Sequence, residues 1–226
     1  MSAFGAILAK DLRVELRTLE SVPAMALFAV TTFVIFRYGL DREQLAGSLA
    51  AGVLLVTILF AAILAINRVF VAEREQGGFD ALRLAPVDGT ALYAAKIAAL
   101  LVYLAVLELI AVPVFGVFFL ESWSGLGPLT AVLALTDLGL AVTGVLVSSI
   151  AVSSRARDLL GPLILLPLAV PLMIAAAGAA APLLELGGLG RVDWWDDFGR
   201  WLAVLALYDV TFLLIGYAVY DYLLED

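Results

Sequence analysis

Long apolar stretches, broken by short charged ones, set the rhythm of this chain. Six of them, at about 22–38, 45–66, 94–120, 129–152, 159–181 and 198–220, approach or exceed the length a helix needs to cross a bilayer. Residues 2–20 follow another pattern. Phe4, Leu8, Leu12, Leu16 and Leu19 recur at helical spacing, and Lys10, Arg13, Arg17 and Glu20 form a second stripe. That predicts an amphipathic helix lying in the interface plane with its cations near anionic headgroups. The short alternating segments of a membrane β-barrel are absent from the sequence. The expected fold is all-α: a polytopic membrane protein of six transmembrane helices preceded by an amphipathic interfacial helix, in one domain over residues 1–226.

Proline marks the spans unevenly. Pro23 suits a helix start, and Pro113 predicts a kink in the third span. Pro162, Pro167 and Pro171 crowd the fifth, where each removes a backbone hydrogen bond that lipid cannot replace. The small residues at 175–181 then permit close helix approach, so the fifth span suits either a moving element or a static kinked helix.

Composition agrees with the pattern. Apolar residues make up 64% and charged ones 15%, against about 45–50% and about 25% in soluble domains. Mean hydropathy is +1.08. The sequence contains no cysteine and no histidine, which excludes disulfides, thiolate chemistry and the commonest metal ligand. A net charge of −8 argues against a nucleic-acid partner. Charged residues from Lys10 to Glu20 follow a short apolar start, so no cleavable signal peptide is expected.

Basic residues set the expected orientation. With the N-terminus inside, the inner segments hold nine of them: Lys10, Arg13, Arg17, Arg68, Arg74, Arg83, Lys96, Arg155 and Arg157. The outer segments hold four, Arg37, Arg42, Arg191 and Arg200. The positive-inside rule therefore places both termini in the cytoplasm of a multi-pass protein of the cell membrane.

Candidate chemistry is sparse. No Gly-rich phosphate loop, nucleophile with a neighbouring base, or metal set stands in the sequence, so catalytic residues are not expected and any nucleotide hydrolysis falls to another chain. Glu108, Asp137 and Asp209 fall within spans, where each costs about 2.5–3.5 kcal/mol if left facing lipid. Their expected sites are the bundle interior, a polar cavity or a subunit contact, as satisfied hydrogen-bonding groups or, less simply, as a proton path. On the outer side, residues 183–199 carry Trp194 and Trp195 beside acids. Paired tryptophans there fit an interfacial belt, or a stacking platform for a planar ligand. The longest charged segment between spans is 73–86, where Gly77 and Gly78 break the chain and Pro86 stops a short amphipathic turn. It is either a loop on the lipid surface or a knob presented to a soluble partner.

The order of an amphipathic helix, two spans, a charged Gly-containing turn ending in Pro and four more spans resembles the membrane subunits of ABC exporters of the second permease type. The matching turn residues are Glu73, Arg74, Glu75, Gly77, Asp80, Leu82 and Pro86, with Phe79 among them. Within that group the chain is similar to the haem exporter protein B (CcmB) family, permeases of cytochrome c maturation. The stretches that carry the likeness are Lys10-Asp-Leu-Arg-Val-Glu-Leu-Arg17, residues 75–86 with Lys96 beyond them, and the proline-rich 165–174. The resemblance implies that 73–86 is a coupling segment docking on a separate ABC ATPase subunit. It also implies a second permease copy or a related haem-handling membrane subunit as partner, with haem a transported or transient ligand and no tightly bound cofactor. The rival readings are an ABC exporter of another amphipathic cargo (a lipid or drug), a proton-coupled secondary carrier using the three acids, and a membrane scaffold.

Overall fold

A computed structural model of the chain describes residues 2–39, 44–75, 89–120, 122–151, 157–185 and 192–225. Among them no strand occurs. Helix α1 spans Ala3–Thr18, α2 Ser21–Gly39, α3 Gly47–Glu75, α4 Gly89–Phe119, α5 Leu126–Ala151, α6 Arg157–Ala180 and α7 Arg200–Glu225. A 3₁₀ turn, Ala181–Leu184, extends α6, and a π turn, Trp194–Gly199, leads into α7. The six helices α2 to α7 are each long and apolar enough to cross a membrane.

Side-chain size decides which helices lie inside. α3 and α5 are the inner pair, each burying 72% of its most apolar window, whereas α2 and α7 bury 17%. Their inward faces are built from small residues, Ala50, Ala51, Ala61, Ala62 and Ala65 on α3, and Gly139, Ala141, Thr143 and Gly144 on α5. In lipid there is little hydrophobic drive between helices, so close backbone approach and dispersion must hold them together. Gly139 shows the fit: a Cβ there would stand 2.6 Å from Leu172 Cδ1 of α6 and 2.7 Å from Asp209 Oδ1 of α7.

Hydroxyl groups in the spans bond back to their own helix or reach a neighbouring one. Thr57, Thr136, Thr143 and Ser149 each donate to the carbonyl four residues back, at 2.6–2.8 Å. Tyr93 of α4 donates to Val142 O of α5 at 3.2 Å, and Ser149 of α5 to Tyr220 Oη of α7 at 3.1 Å. Helices α4 and α6 run on through Pro113 and through Pro162, Pro167 and Pro171. Tyr208 of α7 donates to Leu168 O at 3.0 Å, in the turn that Pro171 interrupts.

At the end opposite α1, Arg37 Nη1 donates to Phe118 O at 3.1 Å and Leu45 N to Phe119 O at 3.2 Å, closing the last carbonyls of α4. Phe33, Phe115 and Phe119 pack α2 onto α4 there, with ring centroids 5.2–6.2 Å apart.

The expected spans match these helices within a few residues, the second matching the apolar part of α3, Gly47–Arg68, beyond which the helix continues. α3 has 29 residues, about 43 Å at 1.5 Å per residue, against a hydrocarbon core of about 30 Å. It therefore runs on well past residue 66, and Glu73, Arg74 and Glu75 lie on its final turn, not in a loop. A helix leaving the membrane keeps its internal hydrogen bonds, so loss of hydropathy does not mark its end.

Glycine supplies a direct test of the packing. A Cβ at Gly125 would overlap the Leu183 carbonyl, which is backbone and cannot swing aside, while one at Gly52 would meet nothing within 4 Å. Gly125→Ala is expected to destabilise the detergent-solubilised protein by about 1–3 kcal/mol. Gly52→Ala should stabilise it slightly, by up to about 1 kcal/mol. Thermal unfolding of both variants checks the contrast.

Candidate functional site

Several charged residues lie at the end of the bundle that carries α1, and there α1 buries a second face beside its leucine stripe. Leu8 and Leu12 pack against the bundle, but Leu16 and Leu19 remain 75% and 60% exposed. The deeply covered face of α1 is Ile7, Asp11 and Glu15, at four-residue spacing. Acids occupy that face because polar partners wait opposite them. Lys96 of α4, 1% exposed, places Nζ 2.8 Å from Asp11 Oδ2. Tyr103, two turns further along α4, donates its hydroxyl to the Asp11 backbone carbonyl at 3.1 Å. Lys10 Nζ, on the solvent side, lies 3.2 Å from Asp11 Oδ1.

Glu15 does different work. Its Oε1 accepts the backbone N–H groups of Ser21 and Val22, each at 2.9 Å, so the side chain caps the first turn of α2 from outside it. The elbow between the helices turns on Leu19, at φ 50°, whose N–H returns to Glu15 O at 2.8 Å. This left-handed conformation ends α1 as a glycine commonly would. Glu20 next to it meets Arg68 of α3 at 2.9 Å, both side chains more than half exposed.

Of the anticipated coupling residues, Glu73, Arg74 and Glu75 end α3. Gly77, Phe79, Asp80, Leu82 and Pro86 lie outside the described residues. The helices on either side of them, α3 and α4, are the two that Glu20 and Asp11 hold. Asp11, Glu15, Lys96 and Tyr103 were not among the anticipated site residues. The available signal was Lys96 itself, a lone cation inside Ala94-Ala-Lys-Ile-Ala-Ala-Leu-Leu101, which an apolar run tolerates only with a partner.

Two of the three intramembrane acids are fully buried inside the bundle, and Glu108 is half-buried. Asp137 and Asp209 are 3% and 2% exposed. Glu108 of α4 and Asp137 of α5 come within hydrogen-bonding reach of each other, a pairing that no single-helix periodicity shows. Asp209 stands apart against the Gly139 backbone of α5. Glu108 Oε1, Asp137 Oδ1 and both Asp209 oxygens have no hydrogen-bond partner among the described residues.

On the far side, Trp194 and Trp195 are 51% and 70% exposed on the π turn. Asp193 Oδ1 accepts the N–H groups of Trp195 and Asp196 at 3.0 and 3.1 Å. The Asp196 and Trp195 N–H groups hold that carboxyl below the usual carboxylate range. Trp194 meets Phe198 edge-on at 5.6 Å, and Trp195 covers Gly199. A lateral apolar groove of about 430 Å³ lies between α4 and α7, lined by Tyr93, Ile97, Leu101, Leu213 and Tyr217 among others.

The carboxyl pair yields a contrast. Glu108→Gln keeps a donor for Asp137 and should leave abundance and thermal stability close to wild type. Glu108→Leu strands the Asp137 carboxyl and should cost about 1–3 kcal/mol, read as a lower unfolding midpoint in detergent.

Comparison with known proteins covers nearly the whole chain. The model of the CcmB protein family matches residues 2–222. Heme exporter protein B of Bradyrhizobium diazoefficiens is 24% identical over 217 residues, 96% of this chain and 94% of its own. Heme exporter protein B of Rhodobacter capsulatus is 32% identical over 174 residues, 76% of this chain and 79% of its own. The protein of the same name from Paracoccus denitrificans is 31% identical over 176 residues, 77% and 80% of the two chains. With its membrane helices in the anticipated order and 2–222 matched end to end, this multi-pass membrane chain belongs to the CcmB protein family.

Proposed function

We propose that the chain is the permease subunit of an ATP-driven transporter that exports or delivers haem for c-type cytochrome assembly. The observation that carries this reading is the family match over residues 2–222, with relatives named heme exporter protein B along most of their length. The fuel lies on another chain. The sequence offers no phosphate-binding loop, and a bundle without one must receive its free energy through contact with a hydrolysing partner.

The end of the bundle that carries α1, Arg68 and Lys96 faces the cytoplasm, by the excess of Lys and Arg at that end. Residues 73–86 then project toward a soluble ATPase subunit, beginning on the last turn of α3. Closure of the ATPase subunits pushes on this projection and biases the bundle between two arrangements of its helices. Haem is the cargo or a transient ligand, and a second permease copy or a related haem-handling membrane subunit completes the assembly. Glu108, Asp137 and Asp209 serve as interior polar groups of the bundle in this scheme.

Deleting the gene from its own host tests the cargo. Haem-stained c-type cytochromes should disappear from membranes and return on complementation, and an unchanged set of them would sink the haem reading. Coupling is tested separately by Leu82→Asp, a charge placed at the expected docking face. The variant should insert normally while losing co-purification of the ATPase. Undiminished co-purification would remove residues 73–86 from the coupling role.

A further inference from the structure

The groove between α4 and α7 opens sideways, toward lipid, at the end of the bundle that carries α1. Its wall on α4 is low because small residues stand there, Ala94 and Ala98 one turn apart, between Thr90 and Leu101. On α7 the exposed side chains of Leu213 and Tyr217 rise above it. Tyr93 also lines the groove, and it is held from several sides. Its hydroxyl donates to Val142 O of α5 at 3.2 Å, and its ring packs 4.8 Å from that of Tyr220. Its tip fills the place where a Cβ at Gly216 would stand. A side chain fixed in this way does not swing out to fill the space, so the groove is preformed.

Its dimensions select the occupant. From Thr90 to Leu101, α4 advances about 16 Å at 1.5 Å per residue. A volume of about 430 Å³ spread over that length leaves a mean cross-section of about 26 Å². A helix with its side chains is about 10–12 Å across, so its section is at least about three times larger. No helix, of this chain or of another, seats there. A single hydrocarbon chain running along α4 does, and the bilayer supplies such chains side by side with the helices. The lining agrees: it holds no charged side chain among the described residues. A flat ligand with carboxylates, such as haem, needs a cation beside them once it leaves water, and this lining provides none.

Burying methylenes brings no hydrophobic gain when the alternative is lipid, so contact number decides. A chain lying on the flank of one helix touches protein on one side. In the groove it touches α4, α7 and Tyr93, and each added atom contact contributes dispersion energy. Left empty, the lining would lose the same contacts.

From this we infer that the groove is a binding site for one acyl chain of a membrane lipid, with the lipid's headgroup at the α1 end of the bundle. The ligand class is an unbranched hydrocarbon chain, and the groove does not select the headgroup. The site is independent of the haem reading and of any ATPase.

The purified full-length chain in phosphatidylcholine nanodiscs provides the test. The probes are phosphatidylcholines carrying a diazirine at successive positions along one acyl chain, with the adducts mapped by mass spectrometry. Labelling should concentrate on 90–101 and 213–217, well above that at Leu27, which is exposed at matching depth on α2. Ala98→Phe fills the groove and should lower labelling of both segments roughly tenfold. Leu27→Phe, outside it, should leave them unchanged. Even labelling around the bundle, or labelling indifferent to Ala98→Phe, overturns the site. If Ala98→Phe does not accumulate, the wild-type map and Ala94→Leu decide in the same way.

Two other occupants are read in the same preparation. The chain has no cysteine, so Tyr217→Cys reports on a second copy. A disulfide between two copies that suppresses the lipid adducts puts protein over the groove and overturns the inference. Haem added in equal amount that displaces the adducts puts the cargo there, which overturns it too. Adducts that persist with haem present, and with no disulfide formed, bear it out.

Discussion

A charge enclosed in an apolar bundle has to find its opposite inside the protein, and in this chain that requirement fixes α1. The ammonium of Lys96 and the carboxylate of Asp11 meet at 2.8 Å with almost no access to water. Replacing such a pair by apolar groups is often harmless, whereas removing one member alone costs about 3–5 kcal/mol. The interaction is therefore a weak guide to total stability and a strong guide to arrangement. It brings a helix that could float at the membrane surface into a set position on α4, and Glu15 then sets how α2 enters the membrane.

The same rule, that hydrocarbon offers no substitute partner, governs the rest of the bundle. Hydroxyls within the spans turn back to carbonyls of their own helix, and Tyr93, Ser149 and Tyr208 cross to neighbours. Small residues bring α3 and α5 close enough to their neighbours for these reaches to close. The Glu108–Asp137 pair fits as well, each acid using the other where water is absent. Asp209 is the exception, packed against Gly139 with neither oxygen bonded among the described residues, and the fold gives no physical account of it.

How far the sequence foretold this depended on whether a signal was local. Span positions were legible because crossing a bilayer demands a long apolar run, a property of each segment alone. The end of α3 was not legible, since Val69 to Glu75 stay helical after the apolar run ends. The second covered face of α1, at Ile7, Asp11 and Glu15, was not legible for a related reason. Its leucine stripe is real, but the acids at Asp11 and Glu15 draw the helix round toward partners 85 and 6 residues away in the chain. Glu108 and Asp137 likewise gain a neighbour only through packing of α4 on α5. Motif resemblance, unlike periodicity, carried information across the whole chain, and it led to the family that the comparison shows.

The arrangement at the α1 end, on which this account turns, is best tested by a double-mutant cycle in the purified, detergent-solubilised protein. Unfolding midpoints would be measured for wild type, Asp11→Asn, Lys96→Met and the two combined. A true buried pair predicts a large drop for each single change and little further loss in the combination, a strongly non-additive result. Simple addition of the two losses, or no loss from either, would mean that the two residues do not hold α1 to α4.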